Sequence, residues 1–324
     1  MKERKKSRGV LEMFKKSGFV FVSLCFVISI SYAGSKGTTG GQFLKIVGGA
    51  RPAAMGNAYC AVSDDVNSIG SNPSGLAFLP KSEVTATYTV WFQDIKYNYL
   101  ALGMPMKMGT LGIAVNMLSV TGIPKTDNTG SYVGGATAET ATKFGESDTA
   151  ITLAYAKALN DKLGLGLSMK IINMSIDDKS ASSFAADLGG LYKASEKLDL
   201  GLSVQNLGGA IKFIEVSDPL PMNLKIGSKY QFSEKFLLGL DINVGTADGV
   251  STVNLGTEYS LAVNENMSLP LRFGYNSGLS DAGGMAGVSL GLGFAMKNSF
   301  GFDATWAPYG DLGDTIRVGL KYSF

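Results

Sequence analysis

From residue 82 to the end of the chain, apolar side chains occupy every second position over many short stretches, and small or polar residues lie between them. In residues 162–171, for example, five apolar side chains alternate with Gly164, Gly166, Ser168 and Lys170. A period of two predicts a β-strand with one apolar and one polar face. Residues 314–324 keep this alternation throughout and end on an aromatic side chain.

Fourteen stretches follow this pattern, and together they predict the fold class. They are 82–92, 96–104, 109–119, 147–157, 162–171, 182–193, 198–205, 223–232, 236–244, 252–261, 268–276, 285–296, 299–307 and 314–324. Each is close to the roughly 9–11 residues of a tilted membrane strand, and an even number of strands is typical of bacterial barrels. The sequence therefore predicts an all-β protein, a transmembrane antiparallel up-and-down β-barrel of about 14 strands.

The connections alternate in length in the order that such a barrel requires. Short polar turns follow even-numbered stretches, for example at 107–109 and 160–162, whereas the long segments 120–146 and 206–221 follow odd-numbered ones. Outer-membrane barrels keep short turns in the periplasm and long loops outside. We therefore expect a bacterial outer-membrane protein whose N- and C-termini are periplasmic.

The width of the predicted barrel decides which strand face meets lipid. About 14 strands enclose a lumen that glycines and short polar side chains cannot fill. The apolar face is therefore expected in lipid and the polar face in the lumen. The charged residues expected in the lumen are Lys170, Lys225, Lys229, Asp241, Glu258, Arg272, Arg317 and Lys321. Aromatic girdles at the two membrane interfaces, or ordinary β-propensity, would explain Tyr88, Trp91, Tyr97, Tyr99, Tyr230, Tyr259, Trp306, Tyr309 and Tyr322.

Residues 1–33 have the pattern of a secretory signal peptide. Basic residues up to Lys16 precede an apolar run over 19–30 and a small-residue site that ends at Ala33. A membrane anchor helix is the alternative, but the run is shorter than the ~20 residues that a span needs. Without this segment 22 basic and 25 acidic residues remain, a net charge near −3. We therefore expect no nucleic-acid partner.

The composition also limits the chemistry. The chain has no histidine, which removes the usual general base, the Ser-His and Cys-His pairs and the commonest metal ligand. Cys60 is the single cysteine outside the predicted signal, so no disulfide framework supports the fold. We expect no enzymatic activity, no metal and no cofactor.

Residues 34–81 lack the alternation and carry a distinctive motif. Residues 37–77 read GTTGGQFLKIVGGARPAAMGNAYCAVSDDVNSIGSNPSGLA. This run closely resembles the N-terminal segment of the PorV/PorQ family of outer-membrane proteins, relatives of the FadL-type 14-stranded barrels; Ser74 stands where the family usually has Ala. The stretches 204–208, 218–221, 225–230 and 318–324 add to the resemblance. The terminal strand, with Tyr322 and Phe324, resembles the signal that the barrel assembly machinery recognises.

The resemblance implies that residues 34–81 form a plug with short helices inside a barrel of residues 82–324. Aspartates 64 and 65, or an asparagine before the proline at 73, can cap or turn such helices. Residues 53–62 supply a small apolar helix surface. We expect the plug to be held against the lumen wall by Arg51, Asp64, Asp65, Asn72, Pro73 and Gly75. A substrate gate is the alternative role for these residues.

The resemblance leaves two functions open, beside a purely structural barrel. A PorV/PorQ-like protein would be a component or shuttle of a type IX-like protein secretion system, with secreted proteins or secretion-system subunits as partners. A FadL-like protein would be a channel for uptake of hydrophobic small molecules such as long-chain fatty acids. Both would lie in outer-membrane lipid. The loop 206–221, with apolar residues such as Ile214 and Val216, is expected to cover the barrel mouth or to meet a partner.

Overall fold

Fourteen antiparallel strands close into one barrel in the computed structural model, which describes residues 37–297 and 299–324. The predicted signal peptide, the first three residues of the predicted plug and Asn298 of the last short turn lie outside the described residues. The predicted fold class is confirmed by the strand order, in which each barrel strand pairs with its neighbours along the chain.

The strands have the following bounds. The barrel consists of β1 (Glu83–Val90), β2 (Lys96–Met106), β3 (Gly109–Pro124), β4 (Lys143–Ala158), β5 (Leu163–Ile176), β6 (Lys179–Lys193), β7 (Leu198–Gly208), β10 (Asn223–Ser233), β11 (Phe236–Gly245), β12 (Ser251–Ala262), β13 (Met267–Asn276), β14 (Val288–Met296), β15 (Phe300–Pro308) and β16 (Asp314–Ser323). Two further strands, β8 (Ala210–Lys212) and β9 (Ser217–Pro219), form a separate hairpin between β7 and β10.

The barrel closes between its first and last strands. Strand β1 pairs with β2 on one side and with β16 on the other, in a register that joins Glu83 to Ser323 and Val90 to Ile316. The predicted pairing of the terminal strand with the strand near 82–92 is confirmed. Closure pairs the backbone groups of every barrel strand and leaves no open sheet edge.

The two ends of the barrel differ in their connections. At the short-turn end, where Phe324 lies, no connection exceeds four residues; these are 107–108, 159–162, 194–197, 234–235, 263–266 and 297–299. The long-connection end carries 125–142, 209–222 and 277–287, with one tight turn at 177–178. The predicted alternation of short and long connections is therefore present in the structure.

The long connection after β3 is shorter than the sequence predicts. Strands β3 and β4 continue to pair as far as Pro124 and Lys143, so that only 125–142 connects them. The prediction of a loop over 120–146 is wrong at both of its ends. Backbone pairing continues here although neither strand keeps an apolar face, and alternation of hydrophobic residues cannot detect such an extension.

The apolar face of the barrel points outward. In β5 the side chain of Met169 is 63% exposed, whereas Ser168 is 1% exposed. Tyr97 and Tyr99 are 0% and 2% exposed and lie inside the lumen, so the predicted girdle position is wrong for these two residues. They pack with apolar residues of the segment that precedes β1, which provides a surface that a water-filled lumen would lack.

Candidate functional site

Residues 37–81, named here the inner segment, run along the lumen from one end of the barrel to the other. Near the long-connection end, the Gly40 amide donates to the Pro219 carbonyl of β9 over 2.9 Å. Near the short-turn end, the Val66 amide donates to the Glu83 carboxylate over 2.9 Å. The described chain therefore begins at one end of the barrel and finishes at the other, and the side of the membrane that each end occupies stays a prediction.

The inner segment is built from short helical turns. It contains the helix α1 (Ala50–Ala54) and 3₁₀ turns at Gln42–Lys45, Val66–Gly70 and Pro73–Phe78. The apolar helix expected over 53–62 is limited to α1, because Gly56 and Asn57 adopt left-handed backbone conformations. None of the helices among the described residues is long and apolar enough to cross a membrane.

Two of the predicted plug residues cap these turns. The Asp65 carboxylate accepts a hydrogen bond from the Asn67 amide over 2.9 Å. The Asn72 side chain accepts from the Ser74 amide over 3.2 Å and from the Ser74 hydroxyl over 2.6 Å, and Pro73 occupies the first position of the turn. Each cap satisfies amides that have no partner within the turn itself.

Glycines allow the inner segment to lie directly on the barrel wall. A Cβ atom on Gly274 of β13 would lie 2.0 Å from the Gly56 nitrogen, and one on Gly166 of β5 would lie 2.4 Å from the Pro73 carbonyl carbon. Within the inner segment, a Cβ on Gly75 would lie 2.3 Å from the Ser63 carbonyl oxygen. Inward glycines of the strands thus mark where backbone meets backbone.

Arg51 connects the inner segment to the wall. Its guanidinium binds Glu258 of β12 in a bidentate manner, with Nε 2.8 Å from Oε2 and Nη2 3.1 Å from Oε1. Its Nη1 also lies 2.5 Å from Asp64, 3.1 Å from Asp65 and 2.8 Å from the Tyr59 hydroxyl. Of the predicted plug residues, Arg51, Asp64 and Asp65 are therefore brought together at one point.

An ion-pair network extends from Arg51 along the short-turn half of the lumen. Arg272 lies 2.6 Å from Glu258 and 2.6 Å from Asp303, while Lys321 lies 3.7 Å from Asp65 and 3.5 Å from Glu83. The ion-pair network is thus Arg51, Asp64, Asp65, Glu83, Glu258, Arg272, Asp303 and Lys321. These groups join the inner segment to strands β1, β12, β13, β15 and β16 at the end of the barrel where the turns are short.

The network keeps Asp65 charged. Burial raises the pKa of the Asp65 carboxyl, but the positive charges of Lys321 and Arg51 outweigh it and hold this pKa below its usual range. The buried arginine is balanced by carboxylates on both the inner segment and the wall, which is the arrangement in which a buried charge is tolerated.

Asp241 and Asn72 hold the middle of the inner segment. The Asp241 carboxylate of β11 accepts hydrogen bonds from the backbone amides of Tyr59 and Cys60, both over 2.8 Å. The Asn72 amide donates to the carbonyls of Cys60 over 2.8 Å and of Gly190 over 3.2 Å. Cys60 is buried, and burial raises the pKa of its thiol well above the usual value. This thiol is therefore a poor nucleophile.

The stretch 204–208, part of the family resemblance, forms a bulge in β7. Asn206 has a positive φ of 56°, and its backbone amide donates to the Asp187 carboxylate of β6 over 2.8 Å. Lys170 lies 2.7 Å from the Asn206 side-chain oxygen and 2.8 Å from Asp187. The side-chain amide nitrogen of Asn206 donates to the Pro221 carbonyl over 3.1 Å. The bulge thus fixes the start of the β8–β9 hairpin and the return to β10.

The remaining predicted lumen charges also face inward, while the aromatic residues of the terminal strand do not. Lys229 pairs with Asp199 over 2.7 Å. Arg317 donates to the Val47 carbonyl over 3.2 Å and lies 5.4 Å from the centre of the Trp91 ring. Tyr322 and Phe324 stack on the outer surface with ring centres 5.9 Å apart.

Sequence reasoning missed the acidic partners of these cations. Asp187, Asp199, Glu83 and Asp303 lie on inward positions, and alternation alone would have found them. What the sequence could not supply is strand register, which places Lys229 directly opposite Asp199.

A cavity of about 440 Å³ occupies the long-connection half of the lumen. Its lining comes from the inner segment on one side and from the strand ends and loops on the other, and includes Lys225, Arg317, Trp91 and Tyr309. Eight of its described lining residues carry side-chain amides; they are Gln42, Asn57, Gln205, Asn206, Asn223, Asn243, Asn254 and Asn276. At its margin Lys45 of the inner segment forms an ion pair with Asp248.

No protein-family model and no curated protein sequence matches this chain. Solved structures do. The Ralstonia pickettii toluene transporter TbuX superposes with a TM-score of 0.60 at 13% identity, over 86% of this chain and 99% of TbuX. The CymD monoaromatic hydrocarbon channel gives 0.58 at 14% identity, over 86% of this chain and 98% of CymD.

A Pseudomonas aeruginosa FadL homologue gives a TM-score of 0.54 at 12% identity, over 84% of this chain and 98% of that one. The chain shares the fold of FadL-type barrels. Identities this low show the fold and not the activity. The closed barrel and its apolar outer surface support a location in the bacterial outer membrane. Among the described residues, no group of three or more His, Cys, Asp or Glu could hold a metal ion.

Proposed function

We propose that the protein is an outer-membrane channel for small molecules and not an enzyme. The inner segment, residues 37–81, acts as its plug. The observation that carries this proposal is the division of the lumen. A cavity occupies the half at the long-connection end, whereas the ion-pair network ties the inner segment to the wall in the other half. The fold shared with TbuX and CymD supports a role in transport, and hydrophobic cargo is what the names of those proteins suggest.

Passage through the barrel requires the inner segment to shift, because it lies on the wall along the lumen. Two kinds of contact oppose this shift: the ion-pair network, and the apolar packing of the inner segment against Tyr97 and Tyr99. Water can replace each partner of an ion pair as it separates. The predicted gating role of Arg51, Asp64 and Asp65 is part of this proposal, as is a periplasmic position of the short-turn end.

A reversible cross-link tests the proposal. A Cβ atom on Gly319 of β16 would lie 3.2 Å from the Ala50 Cβ, close to the separation that a disulfide spans, and no atom would lie nearer. We expect Ala50→Cys/Gly319→Cys, in a Cys60→Ala background, to slow solute-driven swelling of proteoliposomes when oxidised. Reductant should restore the rate of the same sample, so that folding is not in question.

The Ala50→Cys single variant in the same background is the control and should not respond to reductant. Reduced protein that swells no faster than protein-free vesicles would contradict the channel function. Oxidised and reduced double variants that swell equally would contradict the role of the inner segment as the moving plug.

A second candidate function, the predicted exchange of proteins with a type IX-like secretion system, is favoured by one surface feature. The tip of the β8–β9 hairpin exposes Ile214 at 70% and Val216 at 75%, whereas Ile211 at its base is buried against Phe43 and Leu220. A rigidly anchored apolar tip is a suitable contact for a partner protein. A photo-crosslinking residue at position 214 should capture a secreted protein, and one at the exposed Thr137 in the long connection 125–142 should not. Equal capture at both positions would contradict this function.

A further inference from the structure

We propose that the cavity binds a small hydrophilic organic anion, a carboxylate that also carries hydroxyl groups. The inference rests on the proposed channel function and names a class of solute that differs from the hydrophobic cargo in the names of TbuX and CymD. It follows from three features of the lining: cations without ion pairs, side-chain amides with free hydrogen-bonding groups, and the adjacent rings of Trp91 and Tyr309.

Two cations that line the cavity lack the carboxylate partners that other lumen cations have. Lys170, Lys229 and Arg272 each lie within 3 Å of an acidic side chain, but among the described residues neither Lys225 nor Arg317 forms an ion pair. Arg317 is 3% exposed, and its Nε is buried without a hydrogen-bond partner. A buried cation without a counter-charge is costly, and an anionic ligand would supply that charge.

Asp241 lies outside the cavity lining and interacts electrostatically with Lys225 without forming an ion pair. Its Oδ2 accepts hydrogen bonds from two backbone amides of the inner segment, and its Oδ1 is buried without a partner. Asp248, at the margin of the cavity, is paired with Lys45. Among the described residues, the charged side chains that line the cavity are three cations and one anion, which favours a negatively charged solute.

The amides supply hydrogen bonds for a hydroxylated ligand. Within the described chain, no group hydrogen-bonds to the side chains of Asn57 or Asn223, and the Asn243 Oδ1 is buried without a partner. Each amide group both donates and accepts, as a hydroxyl group does. A hydrocarbon in this cavity would remove water from these groups without replacing the lost hydrogen bonds.

Trp91 and Tyr309 provide a surface for the body of the ligand beside the cationic group. Their ring centres lie 5.3 Å apart with the planes tilted by 49°, and Arg317 lies over the Trp91 ring. The carboxylate would bind Arg317 while the carbon skeleton lies on the rings. A volume of about 440 Å³ accommodates a ligand of monosaccharide size.

Ligand binding by the purified full chain in detergent tests the inference, with tryptophan fluorescence and calorimetry as readouts. The probes are D-glucuronate, its neutral counterpart D-glucose, and hexanoate as an apolar carboxylate. We expect D-glucuronate to bind more tightly than both. Arg317→Gln and Lys225→Gln should each weaken its binding by about tenfold, the value of one charge-assisted hydrogen bond. Lys229→Gln removes the same charge from the same face of β10 outside the cavity lining, and should leave the affinity unchanged.

Thermal unfolding of each variant checks that the barrel is intact. Tighter binding of hexanoate than of D-glucuronate, an equal loss in the Lys229→Gln variant, or no saturable binding at millimolar concentration would overturn the inference. Vesicle swelling distinguishes this inference from the proposed function. Binding without flux would contradict the channel function and support the binding site, whereas flux without binding would contradict the binding site and support the channel function.

Discussion

Arg51 is the residue on which the docking of the inner segment depends most. Its guanidinium contacts Glu258 on the wall and Asp64, Asp65 and Tyr59 on its own segment. A buried cation that reaches both surfaces is stable only while its carboxylates remain charged and in place. Residue-scale predictions therefore concern what happens when one carboxylate is removed or neutralised.

Glu258→Gln should destabilise the protein by about 3 kcal/mol, because both Arg51 and Arg272 lose their shared counter-charge in a buried site. Heat-dependent mobility in detergent gels and thermal unfolding measure the change. Asp311→Asn, at an exposed position in the 309–313 connection, is the control and should unfold like the wild type. Equal unfolding temperatures for all three proteins would argue against a structural role of the network.

Acid should loosen the inner segment through Asp65. Its pKa is lowered in the folded protein, so the stabilisation is present above the unfolded carboxyl pKa of about 4 and is lost as the pH falls through the lower folded value. Lys321, Arg51, Tyr59 and the neighbouring carboxyls face this group. We expect protease cleavage within residues 37–81 to increase in strongly acidic buffer, with an acid-resistant protease as the probe.

In Asp65→Asn the acid-dependent part of this cleavage should disappear, and cleavage should already be raised at neutral pH. A variant that is cleaved with the wild-type pH profile would show that another group controls docking.

At the scale of elements, the bulge in β7 joins the wall to the hairpin above it. Asn206 combines a left-handed backbone conformation with contacts to Asp187, Lys170 and Pro221. Asparagine tolerates this conformation better than most residues; its backbone amide donates to Asp187, and its short side chain reaches Lys170 and Pro221. The bulge thereby positions the β8–β9 hairpin against residues 40–44 of the inner segment.

Replacing Asn206 by Ala and by Gly separates the two contributions. Both variants lose the side-chain contacts, but only alanine also strains the backbone, by about 1–2 kcal/mol. We expect the order of thermal stability to be wild type, Asn206→Gly, Asn206→Ala. Equal stability of the two variants would mean that the backbone conformation is not under strain.

The strands and the inner segment show which parts of the fold the sequence predicts and which it does not. Alternation located all 14 barrel strands, and the outward position of residues such as Met169 followed from the width of the lumen. Alternation could not give the cross-strand register that pairs Lys229 with Asp199, nor the path of the inner segment. For the same reason alternation could not exclude a membrane-interface position for Tyr97 and Tyr99, since their burial depends on contacts with residues distant in sequence.

At the scale of the whole molecule, the last strand completes the ring and carries the aromatic end. The Phe324 amide donates to the Ser82 carbonyl over 2.9 Å, while its side chain is 60% exposed on the outer surface. The side chain thus adds little to packing within the protein. This is consistent with the predicted recognition of Tyr322 and Phe324 by the assembly machinery.

Phe324→Ala should lower the amount of protein in the outer membrane several-fold, whereas refolding of the purified variant into detergent should proceed as in the wild type. Tyr88→Ala, which removes an aromatic of similar exposure from the adjacent strand, is the control for general loss of lipid contact. A refolding defect as large as the loss in cells would contradict a role in recognition.

The closure of β1 on β16 has a consequence for the order in which the molecule forms. Contacts such as Val84 with Tyr322 join opposite ends of the barrel sequence. The chain therefore loses the conformational entropy of closing a long loop before the stabilising contacts of the closed barrel form. The inner segment leads directly into β1, so it is carried along by one side of the seam. Its buried contacts reach strands on both sides of that seam, among them β1 through Glu83 and β16 through Lys321. Folding of the ring and docking of its interior should therefore be one cooperative step, in which the wall assembles around residues 37–81.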